Sequence, residues 1–298
     1  MLLSFSVFTG ATFNLAKYAV EYFSAFSAAA WRFGLAAFVM FMILFVKEKI
    51  KLEPLKRNAG MYMLLGIIGI FGFNALFFLG MKDTSPVNGA LIMATNPLLT
   101  TILSRFILNT PITKRQGMGV GFSLLGVVLV ITQGSWHMIS TLSFSMGDIF
   151  ILLGNLCWAL YGILGRRYVQ GSSSLQTTSY TMVVGALCLV LVSAFHPSSL
   201  PVTEIPIGAW GAIAFMAFFT TVLGYLFWNE GIRILGANKT SIFFNLVPVV
   251  TLIISFISGM AISSIQMIGT ILVIAGVILA SGLSLFTCRN RLALLKSQ

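Results

Sequence analysis

The residues able to do chemistry in this chain are few and lie in unusual surroundings. Lys17 and Arg32 are the two cations set deepest within apolar runs. A charge in hydrocarbon is costly and is kept where it meets a partner or a cavity. Asn14, Lys17 and Glu21 recur at spacings of three and four, so they share one helix face. Lys17 then has two readings: it attracts a carboxylate or phosphate of a solute, or it snorkels to the membrane surface and pairs with Glu21. Arg32 is expected to form an ion pair with Glu21. Trp158 and Tyr161 stand three apart, as do Tyr225 and Trp228, and Asn155 precedes Trp158 by three. An amide and two amphipathic rings on one face suit the wall of a small-solute pocket. For Tyr225 and Trp228, an anchor at the membrane interface is the alternative. Asn74, Asn96 and Asn245 are amides in apolar runs, which either face a solute or hydrogen-bond a neighbouring helix. Pro97 and Pro248 lie mid-run, where each removes a hydrogen bond and frees the carbonyl of Met93 or Phe244. Such breaks near the membrane midplane are where carriers bind solute and bend, so both prolines are candidate gating residues.

What is missing narrows the chemistry. There is no Gly-x-x-x-x-Gly-Lys-Ser/Thr loop to cradle phosphates, and His137 and His196 stand apart from each other. Cys157, Cys188 and Cys288 make an odd, scattered set with neither disulfide nor metal-ligand spacing. No metal and no cofactor is expected. The seven acidic residues, Glu21, Glu48, Glu53, Asp83, Asp148, Glu204 and Glu230, fall in connections or at the ends of apolar runs. Proton-coupled carriers keep a carboxylate or histidine in the solute path. The expectation is therefore movement of a solute that is facilitative, exchanging, or coupled through something other than a buried carboxylate. A membrane-embedded lipid-modifying enzyme, which would cluster Asp, Glu or His at a membrane face, is one alternative, and a channel or partner subunit is another.

The elements that must carry these residues follow from composition. Of 298 residues, 58% are hydrophobic and 8% charged, and the mean hydropathy is +0.98. A soluble domain carries roughly 25% charged residues, so lipid must cover this surface. Ten apolar runs are long enough to be spans: Leu2 to Tyr22, Ser24 to Val46, Gly60 to Gly80, Pro86 to Leu108, Gln116 to Thr132, Met146 to Gly165, Leu175 to Phe195, Gly208 to Trp228, Gly236 to Ser258 and Ser264 to Phe286. The first is read as a retained helix, because no basic residue precedes Lys17. Of the 18 basic residues, 15 fall on one side of a ten-helix weave. The net charge of +11 thus reads as a topology signal and an attraction to anionic lipid, with no nucleic-acid role. It sets the chain in the cytoplasmic (inner) membrane with both termini in the cytoplasm. Gly117 and Gly121, and the stripe Gly66, Gly69 and Gly72, are assigned to close helix packing.

The chain also resembles itself. Gly80-Met81-Lys82 and Ala94 to Thr100 recur 151 positions later as Gly231-Ile232-Arg233 and Asn245 to Thr251. Ile112 to Gly119 and Gly126 to Leu129 recur 150 positions later as Ile262 to Gly269 and Gly276 to Leu279. Each half holds five spans, and an odd number means the second enters from the opposite face. The predicted fold is an all-α integral membrane protein of ten transmembrane helices in two inverted five-helix repeats, residues 1–134 and 146–288.

At this point the chain resembles the EamA-like branch of the drug/metabolite transporter superfamily. The resemblance rests on Thr9-Gly10-Ala11-Thr12-Phe13-Asn14 with Lys17, on Arg32, on Pro97 and Pro248, and on the Ile-Thr/Ser-x-x-Gln-x-x-Gly motif that opens spans 5 and 10. Where family members carry Trp before the first Gly this chain has Thr9, and where they carry Glu before the span-5 and span-10 motifs it has Thr110 and Met260. The resemblance implies a cavity lined by helices 1, 3, 4, 6, 8 and 9, and often export. The expected partners are a small-molecule solute, an amino acid or related amphipathic compound, and membrane lipid, with the chain a monomer or homodimer. Reporter fusions are expected to place both termini on the cytoplasmic face and the connection after Thr132 on the other. Termini on opposite faces would overturn this topology.

Overall fold

The computed structural model describes residues 1–48, 52–131, 145–198, 200–259 and 264–281. They form helical rods: α1 (Leu2–Ala19), α2 (Ala25–Lys47), α3 (Glu53–Asp83), α4 (Pro86–Ile107), α5 (Lys114–Ile131), α6 (Met146–Tyr168), α7 (Ser174–Phe195), α8 (Ile207–Leu235), α9 (Ala237–Ile257) and α10 (Ser264–Ser281). Seven of them, α2, α3, α4, α6, α7, α8 and α9, are long and apolar enough to cross a membrane. The last part of the tenth expected span, to Phe286, lies outside the described residues.

The starts of several rods were written in local chemistry. Ser24, Ser85, Ser145 and Ser173 cap the first turns of α2, α4, α6 and α7 by accepting the backbone N–H of Ser27, Asn88, Asp148 and Gln176. At α6 and α7 the side chains of Asp148 and Gln176 return the bond to the cap residue's own N–H. Rod α1 ends at Ala19, before Tyr22, because the chain turns through residues 20–23 to reach the Ser24 cap. Rod α8 continues past Trp228 to Leu235 and stops at Gly236, whose φ of 83° favours glycine.

Two rods are locally underwound and two are broken, at matched places. Gly66–Gly72 in α3 and Met216–Leu223 in α8 are π-helical. Rod α4 breaks between Met93 and Asn96, with Pro97 in the first turn of its second half. Rod α9 passes through a 3₁₀ stretch at Ile242–Leu246, with Pro248 opening its second half. The prolines therefore begin half-helices, where a missing N–H costs nothing.

Connections sort to two ends. At one, Arg57 donates to the carbonyl of Gln170 (2.7 Å) and Arg166 to that of Arg233 (3.1 Å), joining the α2–α3, α6–α7 and α8–α9 connections. Met1 lies there too, in a surface hollow with Glu48, Ser173 and Glu230. At the other, Ser24 bonds to Ser198 and to the carbonyl of His196, and Thr84 donates to Asp148 (2.5 Å). Large apolar side chains such as Phe38, Phe106, Phe195 and Ile257 face outward, as lipid contact requires.

The glycines pack differently from expectation. A Cβ at Gly117 or Gly121 would meet nothing within 4 Å, so that pair makes no close contact. The close approach lies elsewhere on the same rod. A Cβ at Gly126 would sit 2.5 Å from the carbonyl of Gly269, and one at Gly276 2.5 Å from the carbonyl of Gly119. The reciprocal contact shows that α5 and α10 run antiparallel, and Arg115 bonding the carbonyl of Leu279 extends the same register. Gly66 and Gly69 do approach Val184 and Tyr161 closely, so that stripe packs as read. Gly276→Ala is expected to cost about 1–3 kcal/mol of stability through overpacking. Gly121→Ala should be neutral to slightly stabilising. Thermal unfolding of both variants in detergent checks the contrast, and equal effects would contradict the register.

Candidate functional site

A central cavity of about 30 Å³ is lined by Phe5, Thr9, Thr12 and Phe13 of α1, Arg32 of α2, Phe73 and Phe77 of α3, Met93 of α4, Trp158 of α6, Thr220 and Tyr225 of α8 and Phe244 of α9. The volume is about that of one ordered water, so the halves are closed over it. Its wall is aromatic. The ring of Trp158 lies 5.0 Å from Phe73, 4.8 Å from Tyr225, 5.3 Å from Trp228 and 5.5 Å from Tyr161. Trp228 in turn meets Phe5 at 5.1 Å and Phe244 at 5.0 Å. Tyr225 and Trp228 are each 2% exposed, which removes the interfacial-anchor reading for both.

Arg32 is 3% exposed. Its Nε donates to Thr221 Oγ1 at 2.8 Å, and its guanidinium carbon lies 5.0 Å and 5.9 Å from the ring centres of Phe33 and Phe78. The expected ion pair with Glu21 does not form. Glu21 is exposed in the turn after α1, while Arg32 sits within α2 and meets the π-helical stretch of α8. There Thr221 also donates to the carbonyl of Met216, five residues back, at 2.9 Å. Among the described residues the one ion pair is Arg233 with Glu230, at the basic end.

Both readings of Lys17 give way to a third. Its Nζ donates to the carbonyls of Met81 (3.0 Å) and Lys82 (2.9 Å), the closing turn of α3. A cation there satisfies orphan carbonyls and the negative end of the helix dipole. The ammonium is thus spent on a helix end, away from the cavity wall.

The amides divide into two groups. Asn155 Nδ2 donates to the carbonyl of Ile92 (3.0 Å) and to Thr95 Oγ1 (3.0 Å), and its Oδ1 accepts from Asn96 Nδ2 (2.7 Å). It holds the break in α4, and both of its N–H donors are used there. Asn74 Nδ2 donates to the carbonyl of Ile70 (2.8 Å), within the π-helical stretch, and to Tyr225 Oη (3.1 Å). Asn14 and Asn245 point out of the cavity, since Asn14 Oδ1 accepts from Ser255 of α9 (3.1 Å) and Asn245 Nδ2 donates to Ser123 of α5 (2.7 Å). Of the nine expected solute contacts, Trp158 and Tyr225 line the cavity itself.

Tyr161 and Trp228 form the layer beneath. Asn229 Nδ2 donates to Tyr161 Oη (2.8 Å) and Thr178 Oγ1 (2.7 Å), tying α8 to α6 and α7. Beyond this layer a pocket of about 90 Å³ opens among Gly162, Arg166, Ser172, Thr177, Asn229 and Arg233 at the basic end. Thr9, Thr12, Thr220 and the phenylalanines were missed as lining residues. Only the Thr9 to Asn14 motif flagged any of them, because Thr and Phe are also ordinary lipid-facing residues.

The EamA-like transporter family profile matches residues 1–132 and again 145–282. The chain belongs to the EamA-like transporter family. It is 64% identical over 282 residues to the "Uncharacterized transporter YyaM" of Bacillus subtilis (strain 168), covering 95% of this chain and 92% of that protein. It is 28% identical over 282 residues to "Uncharacterized transporter YrdR" of the same organism, covering 91% and 86%. A relative from Archaeoglobus fulgidus, also named an uncharacterized transporter, is 27% identical over 246 residues, covering 83% and 84%. A crystal structure 18% identical in sequence superposes with a TM-score of 0.75 over 95% of this chain and 96% of its own, which shows a shared fold. This EamA-like chain is therefore a multi-pass membrane transporter.

Replacing Asn155 by Leu removes three hydrogen bonds and leaves the Asn96 amide without its acceptor, while the Ile92 carbonyl keeps Thr95 as a partner; the cost is expected to be about 2–3 kcal/mol. Asn245→Leu loses one bond and should cost about 1 kcal/mol. A thiol-reactive dye reading Cys157 and Cys188 during thermal unfolding measures both. A smaller loss for Asn155→Leu would remove it as the holder of the break.

Proposed function

We propose that this EamA-like protein carries small amphipathic solutes, amino acids and related compounds, across the cytoplasmic membrane by alternating access, as an exporter or exchanger. The reading rests above all on a pair of crossed latches. The Ile92 carbonyl at the break in α4 accepts from Asn155 of α6. The carbonyl of Phe243, 151 positions on and within the break of α9, accepts from Ser6 of α1 at 2.8 Å. Each broken helix is held by the first helix of the opposite half. Asn74 and Tyr225, also 151 apart, touch each other, as points on a two-fold axis must.

Two inverted repeats, residues 1–134 and 146–288, account for these pairings and for the antiparallel run of α5 and α10. Inversion makes the two access states nearly equivalent in energy, so modest solute affinity shifts one to the other. In the closed state the Tyr161–Asn229–Thr178 tie separates the cavity from the pocket at the basic end. Opening it would expose the cavity on that side, which the distribution of Lys and Arg assigns to the cytoplasm. Pro97 and Pro248 act as the flexing points, because neither proline nitrogen can donate a hydrogen bond across its break.

In proteoliposomes, a metabolite panel should include a solute whose flux saturates and is accelerated by unlabelled solute on the far side. Flux linear in concentration, without counterflow, would indicate a pore instead. For that solute, Pro97→Ala and Pro248→Ala are expected to lower maximal rate by about threefold or more while leaving KM near its original value.

A further inference from the structure

We infer that the central cavity binds the carboxylate of a singly charged organic anion with an aromatic or aliphatic body, and that Arg32 is the group that takes it. The inference rests on the cavity proposed above as the solute site and names its ligand class.

The argument begins with charge. Arg32 lines the cavity and is 3% exposed. Its guanidinium offers five N–H donors, and the structure gives it one hydrogen bond, from Nε to Thr221. No Asp or Glu lines the cavity. Glu230 is held by Arg233 at the basic end and Asp148 by Thr84 at the other. Two phenyl rings soften the burial of the cation without neutralising it. A buried unpaired charge is strongly unfavourable, whereas the same charge paired with a carboxylate and hydrogen-bonded is not.

The other polar groups point the same way. Trp158 Nε1 and Thr9 Oγ1 are buried without a hydrogen-bond partner, and both residues line the cavity. An indole N–H donates and never accepts. Donors left over in a closed cavity call for a ligand that brings acceptors.

The remaining wall sets the rest of the ligand. Phe5, Phe13, Phe73, Phe77 and Phe244 surround the donors with ring surface, which suits a flat or aliphatic body once the halves part, since the cavity of about 30 Å³ as it stands holds only a water. One guanidinium matches one negative charge. A phosphate dianion would carry a charge that no second lining cation meets, so a monocarboxylate fits best. An α-ammonium group would find no carboxylate here, which places simple carboxylic acids ahead of the corresponding amino acids.

The test uses the purified full-length protein and three probes that share one body: 3-phenylpropionate, 3-phenylpropionamide and 3-phenylpropylamine. Thermal stabilisation and calorimetric titration read binding. The carboxylate is expected to bind at least about tenfold tighter than the amide, with the amine weakest. Arg32→Gln should erase the preference for carboxylate over amide, and Arg32→Lys should keep part of it. Equal binding of carboxylate and amide, tighter binding of the amine, or no binding of the carboxylate each overturns the inference. So does an Arg32→Gln protein that retains the tenfold preference. If Arg32→Gln does not fold, the three probes on the unaltered protein still decide. Counterflow assays with the same probes separate this inference from the carrier reading. Carriage of the amide or amine with no response to the carboxylate sinks the anion site alone. Carboxylate binding through Arg32 without saturable flux of any solute sinks the carrier reading alone.

Discussion

Lipid offers no hydrogen bonds, so every backbone carbonyl and amide inside the membrane has to be satisfied by the protein itself. Regular helices do this automatically. The described residues depart from regular helix at four mid-rod places, two π-helical stretches and two breaks, and each departure recruits a polar side chain. Asn74 and Thr221 bond carbonyls within the π-helical stretches. Asn155 and Ser6 meet the carbonyls of Ile92 and Phe243 at the breaks. The polar residues of the interior are explained first by that requirement.

The same requirement concentrates adaptability at the centre. A side chain that satisfies a broken helix from another rod is a tie that can be exchanged for water or solute at little net loss. Uninterrupted rods such as α2 and α7 satisfy their own backbones, so ties such as those of Ser179 to the Met40 carbonyl and of Thr178 to Asn229 are additions to complete helices. The cavity is bordered by the π-helical stretch of α8 and by both breaks, through Thr220, Met93 and Phe244. It is therefore walled by the parts of the fold best able to rearrange. Arg32 adds a charge to this region, anchored by Thr221 and by two rings.

Sequence reasoning placed residues on rods well and oriented them less well. Trp158 and Tyr225, singled out as large amphipathic rings deep in an apolar run, fall on the cavity wall. Asn14 and Asn245 were read as solute contacts because an amide suits helix–helix bonding and solute contact alike; they lie against Ser255 and Ser123 rather than in the cavity wall. The partners of Lys17 were equally out of reach of the sequence, since they are backbone carbonyls 64 and 65 residues away. Gly117 and Gly121 had the right spacing on the wrong face. The glycines that touch, Gly126 and Gly276, were visible in the sequence as members of a repeated motif rather than as a packing pair.

By itself, the sequence determined the all-helical membrane class, the approximate positions of the rods, the charge asymmetry between the ends and the two-fold recurrence of motifs. Those properties depend on composition and on local periodicity, which any stretch of 20 residues or so carries within itself. Which face of each rod looks inward, which amide holds a break, and that Arg32 stands in the cavity wall without a carboxylate were decided by tertiary structure. Those facts depend on what lies opposite a side chain across a helix interface. For Arg32 and Thr221 that meant bringing together residues 189 positions apart.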